Sequence, residues 1–361
     1  MNPVIRLSRT LLLLALALNL VLPVTVTPCQ AQIYRWQDQE GHWHFSDSPT
    51  SEVPIEQPPM PSWNGSAAKP AASPHTSDAP PAPSPAEQEF RPSAGVPQGG
   101  LLWRISGNGI TPSYLLGTIH SADPRVVRLK PAVQEALVRS ERFVMEMQMD
   151  ADVLLSLGAS MIMTDGNNLE SVLGRDLYDQ VLKAMTAYGF PEAVVNTLKP
   201  WAVMALLSMP KPSGEPVLDM VLYQRAQAAG KPTAGLESAE EQLAVFEGLS
   251  MPDQVALLKM TIAQLADLPG FFDRLIQAYA ADDLQAVADL AAGYNHQDES
   301  QATGRFMSRL NDDRNRRMVQ RMTPYLQQGN SLVAVGALHL TGPAGLLQLL
   351  RQRGFEVMPV R

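Results

Sequence analysis

Two short stretches of this chain repeat one arrangement of residues. "SYLLGTIHSA" (113–122) and "SLVAVGALHL" (331–340) each run apolar strand, glycine, two residues, histidine. His120 and His339 are two of the three histidines between Gly100 and the end of the sequence, which makes the shared pattern informative. A single histidine closing a strand is often just hydrogen-bonded to a nearby carbonyl or carboxylate. Two in matching positions point to a common site, with Gly117 and Gly336 letting the backbone turn tightly and a ligand or second strand approach. The third, His296, lies in the polar stretch "YNHQDES" and reads as a surface residue.

Three charged residues are candidates to join them. Glu146, in "RFVMEMQM", is a charge inside an otherwise apolar strand, on the face opposite Phe143, Met145 and Met147. A carboxylate there costs free energy unless it is paired or binds a cation. Glu237, in "AGLESAEEQ", follows a short apolar run. A capping box of Ser238 and Glu241 accounts for the neighbouring acids and leaves Glu237 outside it. Arg314 heads the basic run "NDDRNRRMVQRM" (311–322). Such a run ordinarily forms a solvated face; the alternative puts Arg314 in the site as an electrophile or carboxylate partner.

Two histidines with one or two carboxylates suit a divalent Zn, Mn, Co or Fe ion with positions left for water, which supports hydrolysis at neutral pH. In that scheme His120, His339 and Glu146 are ligands, Glu146 alternatively being the general base. Glu237 is a second carboxylate, and Arg314 stabilises developing negative charge. A metal-free hydrolase is the second reading, with a histidine as base and Glu146 orienting it. The third is a non-catalytic envelope binding protein with structural histidines.

The elements that must position these residues are legible. Two apolar strands surround a Gly-Asn-Gly turn in "LLWRISGNGITPSYLLGTIH", followed by a helix pattern in "KPAVQEALVRSE" and the strand of Glu146. Apolar residues at helical spacing dominate from about 168 to 310, interrupted by a short strand in "KPTAGLES". The end reads strand, loop, helix, strand. The expected fold is therefore α/β (α+β). A mixed central sheet is built from two strand-GxxH-helix-strand units, 113–148 and 331–360, with a large helical insertion between them. Both histidines then fall beyond the carboxyl ends of the strands, where sites form in open α/β sheets. Aligning Phe143 with Phe355 puts Met358 opposite Glu146, so the second unit lacks the glutamate.

The N-terminal third is organised differently. Residues 1–31 have the layout of a signal peptide, with Arg6 and Arg9 ahead of an apolar run from Leu11 to Leu22 that is too short to span a bilayer comfortably. Cleavage near Ala31 would remove Cys29, the one cysteine, and so exclude disulfides and thiolate chemistry from the mature chain. It would also take the formal net charge from −8 to −10, which argues against a nucleic-acid partner. The mature form is then expected in the periplasm or secreted, without a transmembrane anchor. Residues 32–53 read as a β-hairpin closed near Gly41, with His42 and His44 on one solvent-facing side. Residues 54–99 are rich in proline, alanine and serine and read as a disordered linker containing His75.

Two families resemble parts of this chain. The hairpin, with Tyr34, Trp36, Asp38, Gly41, Ser46, Asp47 and Pro49, is similar to the exported module of unknown function DUF4124. That likeness implies envelope context and a partner there. Residues 100–361 resemble the TraB/GumN family, related to the Tiki metalloproteases and more distantly to erythromycin esterase-like hydrolases. The likeness rests on "YLLGTIH", "FVMEM", "AGLESAEEQ", "DDRNRRM" with Arg314 and Asn315, and "VAVGALHL", in that order. It implies an α/β catalytic domain whose active site is formed by the two Gly-x-x-His histidines and the strand glutamate. For the Tiki branch it implies metal-dependent hydrolysis of a peptide or protein substrate, here one in the cell envelope.

Overall fold

A computed structural model of the chain describes residues 34–37, 43–46, 99–107, 109–148, 151–295, 306 and 308–360. The leader, the cleavage point near Ala31, most of the proline-rich linker, and His42, His75 and His296 lie outside the described residues. The chain divides into two units, one containing residues 25–91 and the other the domain from Gly99 onward. In the first, β1 (Tyr34–Gln37) pairs antiparallel with β2 (Trp43–Ser46), setting Trp36 opposite His44. That is the expected hairpin.

The larger unit is a mixed α/β domain. Its strands are β3 (Leu102–Gly107), β4 (Ile110–Thr118), β5 (Arg142–Met145), β6 (Thr233–Gly235), β7 (Ser331–Gly336) and β8 (Glu356–Pro359). Helices α1 (Pro124–Val127) and α2 (Pro131–Arg139) join β4 to β5. Between β5 and β6 come α3 (Ala151–Ser160), α4 (Leu169–Leu173), α5 (Arg175–Ala187), α6 (Glu192–Val195), α7 (Pro200–Leu207) and α8 (Leu218–Ala228). Between β6 and β7 come α9 (Ala239–Glu247), α10 (Met251–Gln264), α11 (Leu268–Ala280), α12 (Leu284–Asn295) and α13 (Arg314–Gln328), and α14 (Leu346–Gln352) precedes β8.

The sheet order is β6-β5-β7-β4-β3-β8. β4 and β5 both pair parallel with β7, β6 pairs parallel with β5, and β3 runs antiparallel to β4 and β8. Five strands therefore point their carboxyl ends to one edge. The two expected units are present but interleaved: β7, which opens the second unit, lies between β4 and β5 of the first. All six residues of β7 are buried, as its uninterrupted small and apolar sequence requires of a parallel strand covered on both faces. α7 is buried along its whole length, the behaviour of a helix that is apolar all round. Among the described residues no single helix is long and apolar enough to cross a membrane.

One local expectation needs correcting. β5 ends at Met145, so Glu146 lies just past the strand and not inside it. Phe143, Val144, Met145 and Met147 are all buried, so there is no open face opposite them. Glu146 is itself fully buried, and its carboxylate is met by the Gly336 N–H and Arg314 just past the strand end.

Candidate active site

The site is assembled where the parallel strands end. Thr118 of β4 stands opposite Gly336 of β7, so His120 and His339 follow neighbouring strand ends. His339 lies in a short 3-10 turn, Ala337–Leu340, and is fully buried. Gly117 makes room for that turn. A Cβ there would come within 2.8 Å of Leu340 Cδ1 and 3.1 Å of the Ala337 Cα. Neither Gly117 nor Gly336 adopts a positive φ, so the tight-turn explanation does not hold for this pair. Close approach explains Gly117, while Gly336 contributes its backbone N–H.

That N–H donates to Glu146 Oε1 at 2.6 Å, and the guanidinium of Arg314 donates to Glu146 Oε2 at 2.6 Å. Beyond β5 and β6 the two chains stay paired, with Leu236 N–H donating to the Met145 carbonyl and Glu237 N–H to the Glu146 carbonyl. Gly235 permits this closeness, since a Cβ there would sit 2.9 Å from the Gln148 nitrogen. Glu237 therefore lies beside Glu146. Its Oε2 accepts from Arg314 Nε at 2.8 Å and its Oε1 from Arg317 Nη2 at 2.9 Å. The structure resolves the two readings of the basic run residue by residue. Arg314 is 0% exposed, whereas the Arg316 side chain is 58% exposed and pairs with Asp313. A π-type turn, Ser308–Asp313, leads into α13 and its Arg314.

Each histidine has its own carboxylate. His339 Nε2 stands 3.6 Å from Glu146 Oε1, and His120 Nδ1 stands 3.6 Å from Asp219 Oδ2. Both separations exceed hydrogen-bond length. The tautomer of His339 follows from its other nitrogen. Asn315 donates its amide N–H to the Ala344 carbonyl at 2.9 Å, so Asn315 Oδ1, 2.7 Å from His339 Nδ1, is the acceptor. His339 Nδ1 thus carries a hydrogen, and Nε2 is the ring nitrogen that stands toward Glu146.

Burial pushes the Glu146 carboxyl above the ordinary carboxylate range. The Arg314 charge and the Gly336 N–H oppose that rise, and the charges of Glu237 and Asp219 add to it. For Arg314, burial disfavours the charge, but Glu146 and Glu237 outweigh burial and its pKa is raised. Tyr279, fully buried, is raised well above its usual value by burial and then by Asp219 and Asp282. Its hydroxyl stays neutral and donates to the Gly117 carbonyl at 3.2 Å.

His120, His339, Glu146, Glu237 and Arg314 all reach this carboxyl edge or the network behind it. Sequence reading missed Asp219 and the orienting role of Asn315. The signal for Asp219 was available as a lone charge in the apolar run "PVLDMVLY", the same signal that marks Glu146. Asn315 follows Arg314 directly, but nothing local says that it faces His339. Among the described residues no three His, Cys, Asp or Glu side chains cluster closely enough to hold a metal ion. The donors fit in pairs. Two atoms each about 2.1 Å from one tetrahedral ion stand about 3.4 Å apart, and both histidine–carboxylate pairs measure 3.6 Å.

These features define an α/β protein with a histidine–carboxylate site at the carboxyl ends of its parallel strands. The model of the TraB/PrgY/gumN family matches residues 101–359, and the chain belongs to that family. The domain of unknown function DUF4124 matches residues 20–89. Metalloprotease TIKI2 of Danio rerio is 27% identical over 317 residues, covering 71% of this chain and 60% of the relative. Metalloprotease TIKI1 of Homo sapiens is 26% identical over 310 residues, covering 71% and 61%. An uncharacterized protein of Treponema pallidum (strain Nichols) is 21% identical over 271 residues, covering 70% and 80%. This chain spans about three fifths of the length of those two TIKI relatives. No solved structure matches it.

Proposed function

We propose that the domain is a metal-dependent peptidase acting on peptide or protein substrates in the cell envelope. The observation that carries this reading is the pair of histidines at adjacent parallel strand ends, each 3.6 Å from a carboxylate, Glu146 for His339 and Asp219 of α8 for His120. The names of the TIKI relatives support the same class of chemistry. His120, His339 and Glu146 would hold the ion. Such an ion lowers the pKa of bound water and polarises a carbonyl.

The chain's own residues supply the rest. Asn315 fixes the ring of His339 so that its Nε2 is presented toward Glu146. Burial raises the pKa of Glu146 above the ordinary carboxylate range, which makes it a stronger proton acceptor than an exposed glutamate. Arg314 is the positioning residue for the two glutamates, since its Nη2 contacts both Glu146 and Glu237. The leader pattern over residues 1–31 supports export with cleavage near Ala31.

A metal-free hydrolase remains the second reading, because both oxygens of Glu146 already accept N–H donors. Elemental analysis and peptide hydrolysis by protein purified without chelator test the two. Metal near one equivalent, lost in His120→Ala and His339→Ala without a change in melting, is the expected result. Hydrolysis that survives exhaustive chelation assigns the chemistry to histidine and glutamate alone. Normal metal content in either variant removes the proposed ligand set.

A further inference from the structure

Asp219 stands in the first turn of α8, its side chain 4% exposed beside the 8% exposed side chain of His120. Thr118 donates its hydroxyl to Asp219 Oδ1 at 2.7 Å, which satisfies one oxygen and holds the carboxylate in place. The other oxygen, Oδ2, has no hydrogen-bond partner among the described residues, and neither has the buried Nδ1 of His120. These two atoms stand 3.6 Å apart. Tyr279, close enough for the Asp219 charge to act on it, is committed to the Gly117 carbonyl. A buried carboxylate oxygen and a buried ring nitrogen are costly to leave unsatisfied, and each is the partner the other lacks.

Among the described residues no third metal-ligating side chain stands with this pair. The gap is too short for a bridging water, because two hydrogen bonds of about 2.8 Å at a tetrahedral angle place their outer atoms about 4.6 Å apart. A direct hydrogen bond needs a separation only about 0.8 Å smaller. Catalytic hydrogen bonds commonly tighten by such amounts in the working complex. Leu218 N–H donates to the Ser121 carbonyl at 3.1 Å, so the start of α8 is already tied to the loop carrying His120. Closing the gap then takes side-chain movement alone.

The other GxxH histidine shows what such a contact does. Asn315 Oδ1 accepts from His339 Nδ1, which leaves Nε2 as the nitrogen that stands toward Glu146. His120 presents the same ring nitrogen to a carboxylate in place of an amide oxygen. A carboxylate holds the hydrogen on the nitrogen it faces, fixes the ring and makes the opposite nitrogen more basic.

We propose that Asp219 is the positioning residue of His120: its Oδ2 accepts the Nδ1 hydrogen, Thr118 holds the carboxylate, and Nε2 is kept as the nitrogen that acts in the site. This rests on His120 being a working residue of the site, which the metal-dependent and the metal-free readings share.

The test uses the full chain labelled with nitrogen-15 histidine. Long-range proton–nitrogen spectra show which nitrogen of a neutral ring carries the hydrogen, and His120→Gln assigns the signal. His120 is expected to carry it on Nδ1. Asp219→Asn keeps Oδ1 for Thr118 and turns an amide N–H toward the ring, so the hydrogen is expected to move to Nε2 with the melting temperature unchanged. A parent with the hydrogen on Nε2 overturns the assignment, as does a folded Asp219→Asn with the hydrogen still on Nδ1. If Asp219→Asn loses its cooperative melt, the parent spectrum decides alone. Hydrolysis of fluorescein-labelled casein is the second readout, and Asp219→Asn is expected to lower kcat about tenfold or more with KM little changed. A parent that does not cleave casein counts against the peptidase reading and leaves the ring spectrum to decide Asp219. Cleavage by Asp219→Asn with the parental kcat removes only the role of Asp219.

Discussion

Arg314 sits fully buried between two buried glutamates, and that arrangement sets what can be changed there. Three ionised groups in a low-dielectric interior are tolerable only because each is hydrogen-bonded and the charges partly cancel. Removing Arg314 alone leaves Glu146 with only the Gly336 N–H and Glu237 with the partly exposed Arg317, so two buried carboxylates lose the cation between them. Arg314→Ala is therefore expected to cost roughly 3–5 kcal/mol of stability, measured by urea denaturation. Replacing Arg314 with Met together with Glu146→Gln and Glu237→Gln is expected to restore much of that loss while leaving peptide hydrolysis absent. Restored stability without restored hydrolysis separates folding from chemistry at this site. A triple variant as unstable as Arg314→Ala would show that the charges are not the source of the loss.

At the scale of elements, the contact between β4 and the turn of His339 depends on a missing side chain. Gly117→Ala would push a methyl against Leu340 and the Ala337 backbone, so a loss of about 1–3 kcal/mol is expected from overpacking. The His339 turn should shift with it, visible as lower hydrolysis at temperatures where the variant is still folded. A second element-scale prediction concerns the start of α9. Ser238 and Glu241 form the capping box that the sequence suggests, and Glu241 also takes Arg321 of α13. The Arg321 hydrogen bonds, opposed by partial burial, bring Glu241 down from 4.5 to about 2. Because the folded state depresses this pKa, the stabilisation is complete above about 4.5 and is lost as pH falls toward 2. Glu241→Gln should flatten the stability–pH curve over that interval, and an unchanged acid limb would contradict the assignment.

The whole molecule combines two units of different character. The domain from Gly99 has its own extensive buried core, and the β1–β2 hairpin belongs to the other unit. A chain starting at Gly99 is therefore expected to melt cooperatively at the temperature of the full chain, as calorimetry would show. A large drop would mean that the N-terminal unit contributes to the stability of the domain.

Much of this organisation is fixed by sequence, because strand and helix periodicity and capping chemistry are local. The paired Gly-x-x-His strands, the isolated charge of Glu146, the Ser238–Glu241 cap and the order strand, helix, strand are all read within windows of a few residues. The candidates His120, His339, Glu146, Glu237 and Arg314 emerged from the same windows. Which groups meet was decided by the tertiary structure. The sheet inserts β7 between β4 and β5, and only that interleaving sets Thr118 beside Gly336 and gives each histidine a separate carboxylate. Asp219 lies 99 positions after His120, and its approach depends on how α8 is returned to the loop after β4. Periodicity carries no information about such crossovers. They are settled by the burial and backbone pairing of the whole sheet.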